Sequence, residues 1–540
     1  MLFHQAMARA LADNGVTTVF GLLGDANLYM MHSYVNEADG AFYSVANEVA
    51  AVLAAHGYAK ATAGLGVATV THGPALTNTL TALVDAVRER TPLVLIAGDT
   101  AMTDRDNFQN IAQRDVVMPT GAGFEQLRAP ETISEDVAVA IRRAMTEQRP
   151  IVLNVPSDYT WKDVDYVPQS GPRWVPKPAL TAGAGALDEA AGIIASAKRP
   201  IVLGGRGAAD AREALVRLAS RIGAPLATTL RGRDLFRGEP HNLGICGSLS
   251  HDVALSTILD ADCIIAFGAS LNKWTTAERS VLDGKAVIQV DTAHTALGRF
   301  QTVDAAVLGD SAATADAFVA MLDEAEIKPT GFASPELANT LAARTDADFA
   351  DRSTDTTVDH RTAVLKIDAA FPRDRTMVFD AGRFVMHCYQ YLHVQHPNDY
   401  IHPLNFGSIG LAMGNAIGAA VGSEKPTLLV TGDGGFMLGG LNEFNTAVRH
   451  KLDIVVVVLN DNAYGAEHIQ YTEKGFDPAL SLFDWPEFGP IADALGGKGY
   501  TVRNLTELDK VLAELPNRDR PVLIDIKLDP EKVSMLPIGH

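Results

Sequence analysis

Between Thr427 and Gly465 the chain reads TLLVTGDGGFMLGGLNEFNTAVRHKLDIVVVVLNDNAYG. An apolar run ends in Gly432-Asp433-Gly434-Gly435, a helix-like stretch follows, and a second apolar run ends in Asn460-Asp461-Asn462. Glycines let a backbone approach a diphosphate closely, and a helix start turns its free N–H groups towards the same anion. Two carboxylates and a backbone carbonyl at neighbouring strand ends make a hard oxygen set suited to Mg2+. Ligands of open α/β sheets sit at those carboxyl ends. A bare Gly-Asp-Gly is usually a turn. Joined by a helix and a buried strand to Asn-Asp-Asn, which begins 27 positions after Asp433, it predicts a site for a diphosphate and its metal ion.

Other reactive side chains also follow short apolar runs. Glu48 comes after AFYSVA and opens NEVAAVLAAHGYAKATAG. Taken alone it is an acid in a first helical turn, where the helix dipole favours it. His72 lies in Thr71-His72-Gly73-Pro74 and Asp25 in Gly24-Asp25-Ala26-Asn27-Leu28; Glu467 stands shortly after NDNAYG. A strand-end histidine, a turn aspartate and an exposed helical glutamate are the plain readings of these three.

The elements that position these residues follow from the pattern. Short apolar runs alternate with Ala-rich helical stretches, a βα rhythm that argues for parallel sheets covered by helices. The first block, residues 1–166, holds TVFGLLG, GVATVT, PLVLIAG and PIVLNVP. A Pro-, Gly- and Trp-containing linker (Val167–Gly183) leads to a second block, 184–325, with PIVLGG, DCIIAFG and AVIQVD. A polar stretch (Glu324–Asp359) precedes the third block, 358–540, with TMVFDAG, PTLLVTGDGG, DIVVVVLNDN and PVLIDIKL. The fold expected is α/β: three doubly wound domains with mainly parallel sheets.

The 540 residues carry 45 Lys and Arg against 65 Asp and Glu, a formal charge of −20. Such a chain is a poor non-specific partner for nucleic acid or an anionic membrane, and neither is expected. The opening MLFHQAMARALADNG suggests an amphipathic helix rather than a signal peptide. The longest apolar runs are strand-sized, too short to span a bilayer. Cys246, Cys263 and Cys388 have no metal-ligand spacing and suggest buried thiols in a reducing, cytoplasmic setting.

On these motifs the chain resembles, along nearly its whole length, the thiamine-diphosphate-dependent acetolactate synthase and 2-oxo acid decarboxylase superfamily. The resemblance names the three domains pyrimidine-binding, central and diphosphate-binding. It implies thiamine diphosphate and Mg2+ as cofactors. The metal ligands it implies are Asp433, Asp461 and the carbonyl of Ala463. Two departures, Asp for the usual Asn and one extra residue in GGLNEF, leave Asn460 as an alternative to Asp461. Gly432, Gly434, Gly435, Asn462, Ala463 and Tyr464 would surround the diphosphate. Glu48 would hydrogen-bond the aminopyrimidine ring nitrogen and so drive loss of the thiazolium C2 proton. In LNFGSIGLAMGNAIGAA, the Gly407 carbonyl would accept the exocyclic amine, with Ser408 beside it, and Ile409 would wedge the two rings into a bent shape. The turn Asp380-Ala381-Gly382-Arg383 resembles the first diphosphate contact. The family often has Gln-His after this glycine, so Arg383 either pairs a phosphate or is solvated.

The resemblance points two ways on the reaction. Asp25 and Glu467 match proton-handling acids of the decarboxylases, with His72 a further catalytic candidate. Asn107-Phe108-Gln109 resembles the synthase stretch whose Phe108 and Gln109 line the substrate pocket, and Gly73-Pro74 with Asn78 follows the synthase pattern. The paired histidines of decarboxylases are absent, and LDPEKVSMLPIGH ends like a synthase. The middle block (GGRGAA, LGICGS, AFGASLNKW) resembles an FAD-holding domain, but ASLNKW fits the contact stretch poorly; FAD stays open and is not favoured. The expectation is a carboligase/lyase acting on a 2-oxo acid and a second carbonyl substrate, acetolactate synthase-like, as a homodimer at minimum within a homotetramer. The alternative is a decarboxylase releasing an aldehyde. A silent cofactor-binding protein is disfavoured by the presence of Glu48. A Rossmann dehydrogenase is disfavoured by the lack of a placed G-x-G-x-x-G with its acidic partner.

Overall fold

The computed structural model describes residues 1–104, 106–168, 179–345 and 348–533. Most of the linker Val167–Gly183 and the end of LDPEKVSMLPIGH therefore lie outside the described residues, as do two positions of Glu324–Asp359. The described chain gathers into two compact units. One holds the first and third of three sheets, and the other holds the second sheet together with Met386–Tyr400.

The first sheet comprises β1 (Thr18–Gly21), β2 (Ala41–Ser44), β3 (Gly66–Val70), β4 (Leu93–Asp99), β5 (Gly123–Gln126) and β6 (Pro150–Pro156), in the order β2-β1-β3-β4-β6-β5. All its pairings are parallel. The second comprises β7 (Pro200–Gly204), β8 (Leu226–Thr228), β9 (Asn242–Ile245), β10 (Cys263–Phe267), β11 (Ala286–Asp291) and β12 (Ala305–Leu308), in the order β12-β11-β10-β7-β8-β9. The third comprises β13 (Thr376–Phe379), β14 (Tyr400–Ile401), β15 (Thr427–Gly432), β16 (Ile454–Asn460), β17 (Lys498–Val502) and β18 (Val522–Lys527), in the order β14-β13-β15-β16-β18-β17. The expected three doubly wound α/β sheets are present. The inner strands β4, β6 and β16 are buried almost throughout, which is why their sequences are continuous apolar runs rather than alternating ones.

Strand order reverses between β1 and β3 in the first sheet and between β13 and β15 in the third. A crevice opens at such a reversal because the two flanking connections leave on opposite faces. The β13/β15 reversal lies at the Asp380–Arg383 turn and at Gly432–Gly435.

One core runs from the first sheet to the third, including Leu95, Val52, Ala54, Ile417 and Val456. At its centre the helix Glu48–Thr62 crosses the helix Ala412–Gly422. The crossing depends on glycines. A Cβ on Gly57 would stand 2.0 Å from the Asn415 carbonyl oxygen, and one on Gly418 would stand 1.8 Å from that of Ala54. Backbones in such contact leave no room for any side chain, so these two elements have a unique register.

The extra residue read in GGLNEF coincides with a π turn at Phe436–Gly440, just ahead of the helix Leu441–Arg449. A π turn absorbs one residue without shifting the helix face beyond it. The amphipathic N-terminal helix forms over Phe3–Asp13, burying Phe3, Ala6, Met7, Ala10 and Leu11. In the second unit, the buried Arg233 donates to the carbonyls of Tyr389 (2.9 Å) and Leu392, and Asp234 pairs with His393 Nδ1 at 2.8 Å. Burial pushes the thiols of Cys246 and Cys263 up to about 12; all three cysteines are unpaired. Among the described residues no helix is long and apolar enough to cross a membrane.

Candidate active site

Four segments of the third sheet's carboxyl edge meet. Asp380, directly after β13, receives the Gly410 N–H at 3.0 Å on Oδ1 and the Thr431 hydroxyl at 3.0 Å on Oδ2. It thereby ties the turn bearing Gly382 and Arg383 to the loop bearing Gly407, Ser408 and Ile409. Burial raises its carboxyl to about 6, against the pull of these donors. The glycines of Gly432–Gly435 are needed for contact. A Cβ on Gly434 would strike the Tyr464 ring at 2.4 Å, and one on Gly435 would lie 2.6 Å from Asp380 Oδ2.

Asp433 begins a short helix and is 2% exposed. Its Oδ2 and the Oδ1 of Asp461 both accept the Ala463 N–H, each at 3.2 Å. Two buried carboxylates thus converge on one donor. Burial, then the charge of Asp461, holds the Asp433 carboxyl well above the usual carboxylate range; burial pushes Asp461 up as well, opposed by Arg383. A cation between them would relieve both strains, so this oxygen set fits Mg2+. Among the described residues there is no cluster of three His, Cys, Asp or Glu suited to a metal. Asn460 faces elsewhere: its amide donates to Asp525 Oδ1 at 2.8 Å, and its Oδ1 accepts the Asn462 N–H at 3.1 Å.

Arg383 is not solvated. It is 3% exposed, its Nε donates to Asp461 Oδ2 at 2.7 Å, and Nη2 lies 2.6 Å from the same oxygen. Its stem passes over Gly465, where a Cβ would stand 2.3 Å from Nε. Glu467 is exposed in the first turn of the helix Gly465–Glu473 that follows.

The other candidates stand at the carboxyl edge of the first sheet. Asn47 caps the helix Glu48–Thr62 by accepting the Val49 N–H at 3.1 Å, which starts the helix at Glu48. Asn78 Nδ2 donates to Glu48 Oε2 at 3.1 Å. His72 is buried, with Nδ1 3.3 Å from the Thr71 hydroxyl. Asp25 is exposed on the turn whose Asn27 side chain bonds the Gly24 N–H (2.8 Å) and the Leu22 carbonyl (3.0 Å). Gly73, at φ 60°, packs under Gln109: a Cβ there would meet the Gln109 carbonyl oxygen at 2.2 Å. This places Gln109 beside His72, with Phe108 96% exposed next to it.

Sequence reasoning passed over Asn78 as a partner of Glu48 and Asp380 as the tie between the Gly382 turn and the Gly407–Ile409 loop. A polar residue closing an apolar strand, as Asp380 does in MVFD, was the available signal.

Residues 1–118 match the thiamine pyrophosphate enzyme N-terminal TPP binding domain, 187–318 the central domain, and 380–526 the C-terminal TPP binding domain. A sulfoacetaldehyde acetyltransferase of Castellaniella defragrans is 26% identical, over 99% of this chain and 92% of its own. A second, of Roseovarius nubinhibens, is 27% identical over 95% and 89%. An acetolactate synthase large subunit of Parasynechococcus marenigrum is 27% identical over 96% and 86%. Three domain matches in succession, on three parallel sheets with the glycine and carboxylate cluster at the third, place this chain in the acetolactate synthase-like superfamily of thiamine-diphosphate-dependent enzymes.

Proposed function

We propose that the enzyme decarboxylates a 2-oxo acid and joins the remaining acyl unit to a second carbonyl compound, as an acetolactate synthase-like carboligase. The packing of Gln109 on Gly73 beside His72 supports this reading most, since it sets the synthase-like pair Phe108 and Gln109 at the edge where Glu48 stands. The relatives are named as synthases and acetyltransferases, which agrees. Thiamine diphosphate, when bound, supplies the nucleophilic carbon and the electron sink for loss of CO2. The residues do the rest. Glu48, oriented by Asn78, would hold a proton at the aminopyrimidine ring nitrogen. Ile409 would pack against the cofactor rings, and the Gly407 carbonyl would accept the exocyclic amine. Asp433, Asp461 and the Ala463 carbonyl would hold Mg2+, and Gly382 and Gly432–Gly435 would line the diphosphate. The domains run over 1–166, 184–325 and 358–540. The active unit is a cytoplasmic homodimer within a homotetramer, with each cofactor shared between two chains.

The test is to supply the holoenzyme with several 2-oxo acids, with and without aldehydes, and identify products by NMR. Hydroxy-ketone or hydroxy-acid adducts support carboligation; free aldehyde alone overturns it. The decarboxylase reading has one observation in its favour, the two exposed acids Asp25 and Glu467. If they supply the proton that aldehyde release requires, Asp25→Asn or Glu467→Gln lowers aldehyde release by on the order of 10- to 100-fold while CO2 release falls less. An unchanged product ratio and rate in both variants removes these acids from the reaction.

Arg383 bears on the metal. Two carboxylates cancel the double charge of Mg2+, and the buried guanidinium returns one positive charge to the centre that faces a diphosphate. Arg383→Gln is therefore expected to weaken Mg2+-dependent cofactor binding by about 10- to 100-fold, the cost of leaving a buried charge unpaired. Adding Asp461→Asn restores the balance and recovers most of the loss. Calorimetric titration decides: a double variant no better than the single one means that Arg383 binds the phosphate directly.

A further inference from the structure

Two buried carboxylates outside the cofactor-facing set cross between the first and third sheets, and each ends on the other sheet's cofactor loop. Glu443, on the helix Leu441–Arg449, is 1% exposed. Its Oε1 and Oε2 accept the Ala46 N–H at 3.1 and 3.3 Å. Ala46 lies two residues ahead of Glu48. The same helix end reaches two residues further back: Arg449 donates to the Ser44 hydroxyl at 2.8 Å and carbonyl at 2.9 Å, and His450 Nε2 donates to that carbonyl at 3.0 Å.

Asp85 is the counterpart, on the helix Leu80–Arg88, and has no exposed surface. Its Oδ1 accepts the Asn405 N–H at 2.7 Å and the Phe406 N–H at 3.2 Å. Arg88 donates to the Asn405 carbonyl at 2.9 Å and lies 4.8 Å over the Phe406 ring. These residues directly precede Gly407, Ser408 and Ile409.

Cohesion alone does not call for this chemistry. Burying a carboxylate is costly, and apolar contact would hold the two sheets together without that cost. What a carboxylate adds is direction: it aims loop N–H groups at one point, the Ala46 N–H at Glu443 and the Asn405 and Phe406 N–H groups at Asp85. The loops so held are otherwise open, with Ala46, Phe406 and Gly407 exposed.

We propose that Glu443 and Asp85 are reciprocal positioning residues. Glu443 sets the Glu48 carboxyl for proton transfer, and Asp85 sets the Gly407–Ile409 loop for holding the aminopyrimidine. The inference rests on the thiamine diphosphate reading of the site.

The two roles predict opposite signatures, because one loop acts in a proton step and the other in binding. Calorimetry with Mg2+ and thiamine diphosphate measures affinity. Hydrogen–deuterium exchange at C2 of saturated enzyme measures the proton step. Glu443→Gln is expected to slow exchange at least about tenfold, with affinity within about threefold. Asp85→Asn is expected to weaken affinity at least about tenfold, with exchange at saturation within about threefold. Loss of both in parallel, or a lower melting temperature with both unchanged, means structural glue and overturns the proposal. If either variant fails to fold, Arg449→Gln and Arg88→Gln leave the buried acids in place. They are expected to give the same crossed pattern, each about threefold, and an uncrossed pattern overturns the proposal equally. Wild-type enzyme that binds no thiamine diphosphate sinks the site reading itself; wild-type binding with uncrossed variants sinks only the positioning roles.

Discussion

Asp433→Ala is expected to remove Mg2+-dependent binding of thiamine diphosphate, with a loss of at least about 100- to 1,000-fold. Removing one member of a buried charge centre costs about 3–5 kcal/mol, and each 1.4 kcal/mol is about tenfold in affinity. The variant keeps Asp461, but Arg383 already neutralises that carboxylate at 2.6 Å. Of the two carboxylates that converge on the Ala463 N–H, none is then left uncompensated to balance the cation. The fold should not suffer. Burial holds the Asp433 carboxyl above its usual range, so its removal relieves an unfavourable charge. The Ala463 N–H keeps Asp461 Oδ1 as its acceptor. The melting temperature of the metal-free variant is accordingly expected at or above the wild-type value. Unchanged calorimetric affinity for the cofactor in Asp433→Ala refutes the metal assignment.

Glu48→Gln is expected to separate binding from chemistry. Its amide oxygen can still accept from Asn78, as Oε2 does at 3.1 Å in the native chain, so the helix start and the local geometry persist. Cofactor affinity stays within about threefold, since the contact loses little besides its acidity. The amide cannot pass a proton to the ring nitrogen, and C2 exchange falls by on the order of 10^2- to 10^4-fold. Exchange at the wild-type rate in this variant would show that another group carries the proton.

How much was legible in advance depended on distance along the chain. The inner strands were legible because burial on both faces makes them uninterrupted apolar runs, as in Ile454–Asn460. Those passed over are edge strands such as Gly123–Gln126 and Lys498–Val502, or the three-residue Leu226–Thr228. An edge strand pairs on one side only and carries a mixed sequence, and its pairing is decided by the neighbour rather than by its own residues. The Gly432–Gly435 and Asn460–Asn462 turns were legible because each is a strand end followed by its own helix, a unit complete within about 40 residues.

By itself, the sequence determined the three α/β units, the glycine and carboxylate turns, the helix starting at Glu48 and the family. Each rests on local periodicity, turn chemistry or contiguous motif. Only the tertiary structure decided the fate of side chains whose partners are distant. Arg383 could have faced solvent or phosphate, and it lies buried on Asp461, 78 positions away. Asp461 was the expected metal ligand and Asn460 its alternative; Asn460 donates to Asp525, whereas Asp461 shares the Ala463 N–H with Asp433. Glu443 and Asp85 stood unmarked in ordinary amphipathic helices, and their loops lie 397 and 320 positions away. A buried charge takes whichever donor the packed core brings to it, and at such separations no stretch of sequence shows which donor that is.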